Sequence, residues 1–305
     1  MKFWVGVTDN SWFNHLIDNE LSEANFWHPS TKVPFSNAPI GMPILFKLKA
    51  PNNHIAGGGF FVTYTRLPIS MAWDFFGDKN GFDSLEEMAA RLGGNNPNKE
   101  IGCTIVSETF FFPRQYWISD IPHWAPNLVR GRIYDTDADP ESRQLWEEVH
   151  ARIGDRSRRL SEAVSSQQVL PGGYGVGQIV TPRLGQGSFR ALITEAYHRR
   201  CAITGESTLV ALEAAHIKPF SVEQRHEVTN GLLLRADFHR LFDAGLVTVT
   251  PDYRVRVSEN IHQLWFNGKA YYKLNNQRLA SLPDNSLLAP NRDHLAWHLE
   301  NRFQG

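Results

Sequence analysis

Two histidines and an asparagine, His216, Asn230 and His239, lie in or beside the short apolar runs of one stretch of the chain, LEAAHIKPFSVEQRHEVTNGLLLRADFHRLFDAGLVTV, residues 212–249. Thirteen residues lie between His216 and Asn230, and eight lie between Asn230 and His239. Isolated histidines are usually surface or satisfied core residues. Two histidines and an asparagine inside short apolar runs, in contrast, restrict the local fold to one that brings them together.

The sequence around these residues predicts a compact unit with the order strand, loop, strand, helix. A strand over 207–217 ends at Lys218-Pro219, a polar loop follows, and the run GLLL forms a second strand. A helix is predicted over 235–245, and the segment 246–258 is typical of a hairpin. Because the unit folds back on itself, we expect the three polar side chains to surround one small site.

Such a site suits phosphodiester hydrolysis. A neutral imidazole such as His216 can take a proton from water near pH 7. A divalent cation bound beside it would neutralise the charge that develops on the phosphate and on the leaving oxygen. A buried amide such as Asn230 can hold a loop, and therefore the imidazole on it, in one orientation.

The motifs AAHIKP, NGLLLRADFH and LFDAG, at these spacings, resemble those of the HNH endonucleases, as does the lead-in CAITGE (201–206). The resemblance covers about 187–258. It implies a ββα-metal fold in which His216 is the general base, Asn230 orients the loop that carries His216, and His239 binds the metal.

The sequence departs from the pattern at Ala215, where many relatives place a further ligand. Asp243 lies four residues after His239 on the same predicted helix face and is the preferred second ligand. Glu213 is a weaker alternative, because strand alternation would turn it away. Oxygen-rich ligation of this kind favours Mg²⁺ or Mn²⁺.

The two cysteines predict neither a disulfide framework nor a zinc staple. Cys103 and Cys201 are far apart in sequence, and no CxxC pair occurs. Thr204 stands where zinc-stapled relatives carry a second cysteine. The unit must therefore be held together by its own packing.

Three further residues near the motif could contact DNA. Arg235 and Arg240 flank the predicted site and could contact phosphate, although solvated helix positions are an equal alternative. For His226 a solvated loop position is favoured over a DNA contact. The segment 260–305 offers no chemistry that we can assign.

The front half of the chain has a different character. Seven of the nine tryptophans lie before residue 150. Strand-like runs recur there, and a capped helix is predicted over 84–93. We therefore predict an α+β protein with a reader domain over 1–150, a helix and glycine-rich linker over 151–187, and the HNH endonuclease domain over 188–305.

The runs VGVTDNSWFNHL and GMPILFKLKAPNNHIAGGGFFVTYTRLPISMAWDFFG resemble domains fused to restriction-type HNH nucleases. More loosely, they resemble PUA-like readers of modified bases of the EVE and SRA type, which are small barrels or mixed domains. The resemblance implies a pocket for a flipped base, with rings on its walls and polar groups for the base edge. The candidate pocket residues are Trp12, Trp27, Phe60, Trp73, Asn10, Ser11 and Asn53, with a core position as the alternative for each ring.

Charge is distributed unevenly between the halves. Residues 1–150 carry 12 Lys+Arg and 18 Asp+Glu, a net −6, and residues 151–305 carry 19 and 14, a net +5. The basic half is compatible with phosphate contact, and a single-base pocket tolerates the acidic half. No apolar run approaches the roughly 18 residues of a membrane span, and we expect a cytoplasmic protein.

The favoured hypothesis is a restriction endonuclease that cleaves double-stranded DNA containing modified cytosine, either 5-methyl or 5-hydroxymethyl. One alternative is an HNH nuclease that reads unmodified sequence, phosphorothioate or RNA. A second alternative is a non-catalytic nucleic-acid-binding protein. A homodimer would supply the two active sites that a double-strand break needs, but no interface signature identifies one.

Overall fold

The computed structural model describes residues 1–30, 38–125, 127–163, 183–223 and 225–305, without the side chains of 155–163. The chain divides into two compact units, Met1–Arg183 and Leu184–Gly305. The predicted glycine-rich linker falls largely on 164–182, outside the described residues. Across the described ranges, no helix is long and apolar enough to cross a membrane.

The first unit is built on a six-stranded mixed sheet. Its strands are β1 (Lys2–Thr8), β2 (Glu23–His28), β3 (Pro43–Leu48), β4 (Ile55–Pro68), β5 (Glu100–Phe111) and β6 (Gly131–Asp135). They lie in the order β2-β5-β4-β3-β1-β6. β1 and β3 are parallel and the other neighbours are antiparallel. The described strands thus form an open mixed sheet rather than a closed small barrel, and the predicted α+β class is confirmed.

The glycine run Gly57–Gly59 has a structural reason within this sheet. A Cβ at Gly57 would lie 2.3 Å from the carbonyl oxygen of Phe110, and one at Gly58 would lie 2.5 Å from that of Ile44. Both distances are too short for any side chain, so these glycines allow neighbouring strands to approach closely. The close approach here is that of one strand to another.

Helices cover the sheet and its edges. They are α1 (Asn10–Asp18), α2 (Ile69–Phe76), α3 (Leu85–Met88) and α4 (Pro140–Ala163). The predicted helix at 84–93 is confirmed as α3 followed by a π-helical turn, Ala89–Gly93. Ser84 caps it by accepting a hydrogen bond from the Glu87 N–H at 3.2 Å.

Aromatic side chains form much of this unit's core. Trp12, Phe13 and Phe46 pack in one apolar cluster, whereas Phe3 and Trp146 pack in another. Three of the seven tryptophans in this half, Trp4, Trp12 and Trp146, are less than 9% exposed. A high tryptophan content therefore reflects the core here, at least in part, rather than a binding surface.

The second unit contains the predicted strand, loop, strand, helix order. Its elements are α5 (Gln186–Ala196), β7 (Leu212–His216), α6 (Phe220–Glu223), β8 (Gly231–Arg235), α7 (Ala236–Asp243), β9 (Val247–Val249), β10 (Val255–Val257), α8 (Asn260–Trp265), α9 (Lys269–Tyr272) and α10 (Arg292–Asn301). β7 pairs with β8, and β9 pairs with β10 as the predicted hairpin, both antiparallel. The first predicted strand is shorter than expected, since it begins at Leu212.

The first helix of this unit, α5, contacts the core through one apolar face. Phe189, Ile193 and Tyr197 are each at most 1% exposed. The Tyr197 hydroxyl donates a hydrogen bond to the Gly231 carbonyl at 3.1 Å, which ties the end of α5 to the start of β8. The helix therefore supports the segment that contains Asn230.

The C-terminal helix α10 supports the other end of the site. The buried His298 ring stacks on Phe242 of α7 with centroids 3.7 Å apart. Its Nε2 donates to the Phe242 carbonyl at 3.1 Å, and its Nδ1 lies 2.8 Å from Thr248 Oγ1. Burial lowers the pKa of His298 to about 4, so the ring is neutral near pH 7. Through these contacts of α10, the segment 260–305 holds α7 in place.

Candidate active site

The ββα unit places the three motif residues on adjoining elements. His216 is the last residue of β7, and its partner across the pair is Gly231, the residue after Asn230. His239 lies in the middle of α7. His239 Nδ1 lies 2.6 Å from Oε2 of Glu213, which lies on the same strand as His216, so α7 packs against the strand that carries His216.

Asn230 holds the loop that follows His216. Its side chain is fully buried, its Oδ1 accepts a hydrogen bond from the Lys218 N–H at 2.9 Å, and its Nδ2 donates to the Lys218 carbonyl at 3.0 Å. The Asn230 carbonyl also accepts from the Ile217 N–H at 2.9 Å. Because both backbone groups of Lys218 are fixed, the strand end that carries His216 has one conformation.

The imidazole of His216 is packed against two other rings. It stacks on Phe189 of α5 with centroids 4.1 Å apart and planes 9° from parallel. Its Nε2 lies 3.0 Å from Nδ1 of His226. Burial, with smaller contributions from the nearby His226 and His239, lowers the pKa of His216 to about 4. A neutral imidazole at physiological pH can act as a general base.

The position of His226 differs from the solvated loop position that the sequence favoured. The residue is half-buried, and its ring stacks on Phe220 with centroids 4.4 Å apart. A polar loop sequence gives no sign of this contact, because hydropathy does not show how the loop folds back on His216. Sequence reasoning also missed Phe189, which comes from α5, as a wall of the site.

His239 interacts with both predicted carboxylates. Its Nδ1 lies 2.6 Å from Oε2 of Glu213, and its Nε2 lies 3.3 Å from Oδ2 of Asp243. Strand alternation does not turn Glu213 away, since β7 presents it to α7. Glu213 is thus the closer partner of His239, and which of the two carboxylates binds a metal stays a prediction.

The missing ligand at Ala215 also has a structural reason. Ala215 is fully buried in the apolar core of this unit, whereas Glu213, two residues earlier in β7, is exposed. A carboxylate at 215 would therefore be enclosed by apolar side chains. Glu213 is the carboxylate that β7 presents outside this core.

Cys201 is held by hydrogen bonds at the turn where zinc-stapled relatives bind a metal ion. Its buried Sγ accepts from the N–H of Thr204 at 3.4 Å and from the N–H of Arg235 at 3.3 Å. These contacts join the CAITGE turn to the end of β8. The absence of a second cysteine at Thr204 is thus compatible with a well-packed turn.

The residues around His239 fit a cation that keeps much of its water. Glu213 and Asp243 lie at opposite nitrogens of the ring, and within the described ranges no three His, Cys, Asp or Glu side chains converge as a metal cage. Mg²⁺ is commonly held by one or two carboxylates together with water and substrate phosphate. One nitrogen of His239 and one carboxylate would supply the protein's share of such a site.

The two predicted phosphate ligands have different surroundings. Arg235 forms a two-point ion pair with Asp237, at 2.6 and 2.7 Å, and its guanidinium lies over the Phe238 ring. Two of the five guanidinium donors of Arg235 are engaged in this way at the start of α7, and with its remaining donors Arg235 stays a candidate phosphate ligand. Arg240 is exposed on α7, next to His239 in sequence, and stays a candidate.

Two of the four rings predicted for a base pocket are core side chains, which corrects that prediction. Trp12 is 3% exposed, its indole N–H donates to the Asn25 carbonyl, and it meets Phe26 and Phe46 edge-on. Phe60 is 4% exposed and packs in the apolar cluster that contains Phe110. Neither ring offers a free face to a base.

The predicted polar groups are engaged near the segment that joins β3 to β4. Asn10 Nδ2 donates to the carbonyls of Lys49 and Ala50, at 3.4 and 3.3 Å. Ser11 Oγ donates to Asp9, the residue that caps α1. Asn53 Oδ1 accepts from Lys47 Nζ at 3.0 Å. These contacts give all three residues local structural roles.

The other two rings remain partly exposed. Trp27 stacks on Phe82 with centroids 5.6 Å apart, and its indole N–H donates to the Asn80 carbonyl at 2.8 Å. Trp73 lies half-buried on α2. Trp27 is the better-fixed aromatic face, because both its plane and its N–H are held.

Comparison with known proteins agrees with the nuclease prediction. Residues 201–250 match the family described as HNH endonuclease, and this range contains the whole ββα unit. Comparison with curated proteins gives no match. The predicted HNH endonuclease segment is thereby confirmed.

Two solved structures are similar over larger parts of the chain. ASCH from Zymomonas mobilis is 9% identical, with 47% of this chain and 93% of that chain covered and a TM-score of 0.36. A structure described as the modification dependent TagI restriction endonuclease is 13% identical, with 92% of this chain and 76% of that chain covered and a TM-score of 0.27.

Proposed function

We propose that this protein, whose residues 201–250 match the HNH endonuclease family, is a metal-dependent restriction endonuclease that cleaves double-stranded DNA bearing modified cytosine. The observation that carries the proposal is the position of His216, a neutral imidazole on a strand end that buried Asn230 holds in place. His239 lies beside it with two carboxylates.

In this mechanism His216 takes a proton from water. The water oxygen bonds to phosphorus, and the bond from phosphorus to the leaving oxygen breaks. Asn230 keeps the imidazole aimed at the water by fixing Lys218. A divalent cation, when bound, stabilises the negative charge that develops on the phosphate and leaving oxygens.

The cation we propose is Mg²⁺ or Mn²⁺, held by His239 with Glu213 or Asp243. Oxygen ligands favour these ions. Chelation should abolish cleavage, and either ion should restore it. In a Mn²⁺ titration followed by electron paramagnetic resonance, Glu213→Gln should weaken binding more than Asp243→Asn does. The reverse order would assign the site to Asp243.

We propose further that residues 1–150 read the modified base. The net charge of −6 in this half suits a pocket for one base better than a surface that grips phosphates along the duplex. Trp27, fixed on Phe82 and Asn80, is the ring best suited to stack on a flipped base. Trp73 is a second candidate.

The test compares three otherwise identical duplexes that contain cytosine, 5-methylcytosine or 5-hydroxymethylcytosine, each with Mg²⁺ or Mn²⁺. Cleavage only of a modified duplex is the expected result. Equal cleavage of all three would refute modification dependence and leave a nuclease with another specificity, which phosphorothioate DNA and RNA would then probe. Binding without cleavage of any substrate would refute the nuclease.

The reader residue can be tested separately. Trp27→Ala should abolish the preference for modified DNA, and Trp27→Phe, which keeps a ring on Phe82, should preserve part of it. Trp265→Ala, at an exposed tryptophan of the second unit, is the matched control and should leave the preference unchanged. An unaltered preference in a folded Trp27→Ala protein would exclude Trp27 from the pocket.

A further inference from the structure

We propose that His226 is a positioning residue for His216, the general base. His226 accepts a hydrogen bond from His216 Nε2–H, and this leaves His216 Nδ1 as the atom that takes the proton. The inference rests on the proposed nuclease function and deepens it. His226 lies outside the three-residue motif, and it enters the site from the loop between α6 and β8.

The contact between the two imidazoles is direct and enclosed. His216 Nε2 and His226 Nδ1 lie 3.0 Å apart, a normal hydrogen-bond distance. Phe189 stacks on His216, and Phe220 stacks on His226 with planes 18° from parallel. Each ring is therefore held by an aromatic neighbour, and the bond between the rings is shielded from water by both.

The loop that carries His226 is itself fixed at both ends. The two hydrogen bonds between Asn230 and Lys218 hold its start, and Asn230 directly precedes β8 at its end. Between them, Lys218 Nζ lies 3.8 Å from Glu223 Oε2 on α6. The position of His226 against His216 is thus imposed by the fold of the loop.

Only one of the two possible hydrogen-bond directions leaves a working base. Two neutral imidazoles share a single hydrogen along this contact, and the other nitrogen of each ring takes the opposite role. If His226 donated, His216 would carry its hydrogen on Nδ1, and its lone pair on Nε2 would be used by His226. If His216 donates, its Nδ1 lone pair is available, and no hydrogen bond to Nδ1 occurs among the described residues.

The productive direction also stabilises the charge that forms during catalysis. When Nδ1 takes the proton from water, His216 becomes a cation, and the bond from its Nε2–H to His226 becomes charge-assisted and stronger. His226 must be neutral for this purpose. Apart from uncharged Phe189 on α5 and Phe220 on α6, the groups that act on His216 are His226 itself and His239 on α7.

The test uses two substitutions at the same position in the full-length protein. His226→Ala removes the acceptor, whereas His226→Asn keeps an acceptor oxygen close to the place of Nδ1. His226→Ala should lower kcat by at least about tenfold with little change in KM, and His226→Asn should recover most of the loss. His262→Ala, at an exposed histidine of α8, should have wild-type kinetics.

A pH profile of kcat/KM separates positioning from a structural effect. A neutral His226 that accepts from Nε2–H stabilises the His216 cation, so loss of this hydrogen bond in His226→Ala should move the acidic limb of the profile to lower pH, and His226→Asn, which keeps an acceptor, should restore it. A residue that merely fills space would alter the height of the profile and leave the limb in place. Equal kcat for wild type and His226→Ala would overturn the proposal.

Nitrogen-15 NMR of the His216 ring in the wild-type protein supplies a readout that needs no catalysis. We expect Nε2 to carry the hydrogen near pH 7. Hydrogen on Nδ1 would overturn the inference even if the protein cleaves DNA. If the protein cleaves no substrate, the proposed function fails, while the ring tautomer still decides whether His226 accepts from His216. The same measurement decides the case if His226→Ala does not fold.

Discussion

At the scale of single residues, the neutral side chain of Asn230 fixes the backbone next to His216, the proposed base. Both polar ends of its buried amide are bonded to Lys218, two residues after the base. The motif spacing predicts this role from sequence, since the residue lies at the start of the second strand. The stack of His216 on Phe189 was not predictable in the same way, because helical periodicity indicates burial without identifying the neighbour.

Asn230→Ala should weaken both the fold and the chemistry. The substitution leaves the Lys218 N–H and carbonyl without these partners, which should lower the free energy of unfolding by about 1 to 3 kcal/mol. Chemical denaturation measures the loss, and the cleavage rate should fall further than the unfolded fraction explains. Asn301→Ala, at an exposed asparagine, is the control. Wild-type cleavage by Asn230→Ala would contradict the role of the amide.

The acidic limb of cleavage should lie well below the ordinary pKa of histidine. A base with a pKa near 6.5 loses activity as the pH falls through 6.5, whereas His216, with its pKa lowered to about 4, remains unprotonated until lower pH. The profile of kcat/KM measures this limb. A midpoint near 6.5 would contradict the assignment of His216 as the free base.

The fold must be checked at each pH in that experiment. The pKa of His298 is also lowered to about 4 by burial, so the unfolded chain binds its proton near pH 6.5 and the folded chain only near 4. The stability that neutral His298 provides is therefore present above 6.5 and is lost as the pH falls towards 4. Circular dichroism and recovery of activity at neutral pH distinguish unfolding from protonation of His216.

At the scale of elements, the ββα unit was predictable because its parts are contiguous in sequence. The apolar runs, the Pro219 break and the helix stop at Gly245 each leave a local signal. The mixed sheet of the first unit leaves no such signal, since β1 pairs with β3 and β6 from distant parts of the chain. For the same reason the pocket rings could not be separated from core rings such as Trp12.

Ala215→Asp tests the explanation given for the missing ligand. Because residue 215 faces the core, the new carboxylate should lower the free energy of unfolding by at least about 3 kcal/mol and should not strengthen Mn²⁺ binding. Ala280→Asp, at an exposed position, should change stability little. A stable Ala215→Asp protein with tighter Mn²⁺ binding would show that β7 can present a ligand there.

At the scale of the whole molecule, the two halves of the sequence differ in net charge and in the motifs they contain. The half after residue 150 carries the excess of positive charge and the catalytic motif, while the acidic half before it carries most of the tryptophans. Such a division fits an enzyme in which one unit selects the DNA and the other hydrolyses it. The identity of the selected base depends on pocket geometry, which composition does not encode.

The central claim is that His216 is the base of a DNA-hydrolysing site, and the cleavage rate of His216→Ala tests it most directly. The measurement uses a duplex that the wild type cleaves, with Mn²⁺ and saturating protein, after DNA binding and thermal stability are shown to be retained. We predict a loss of at least about 100-fold in the single-turnover rate. A rate within about threefold of wild type would contradict the account.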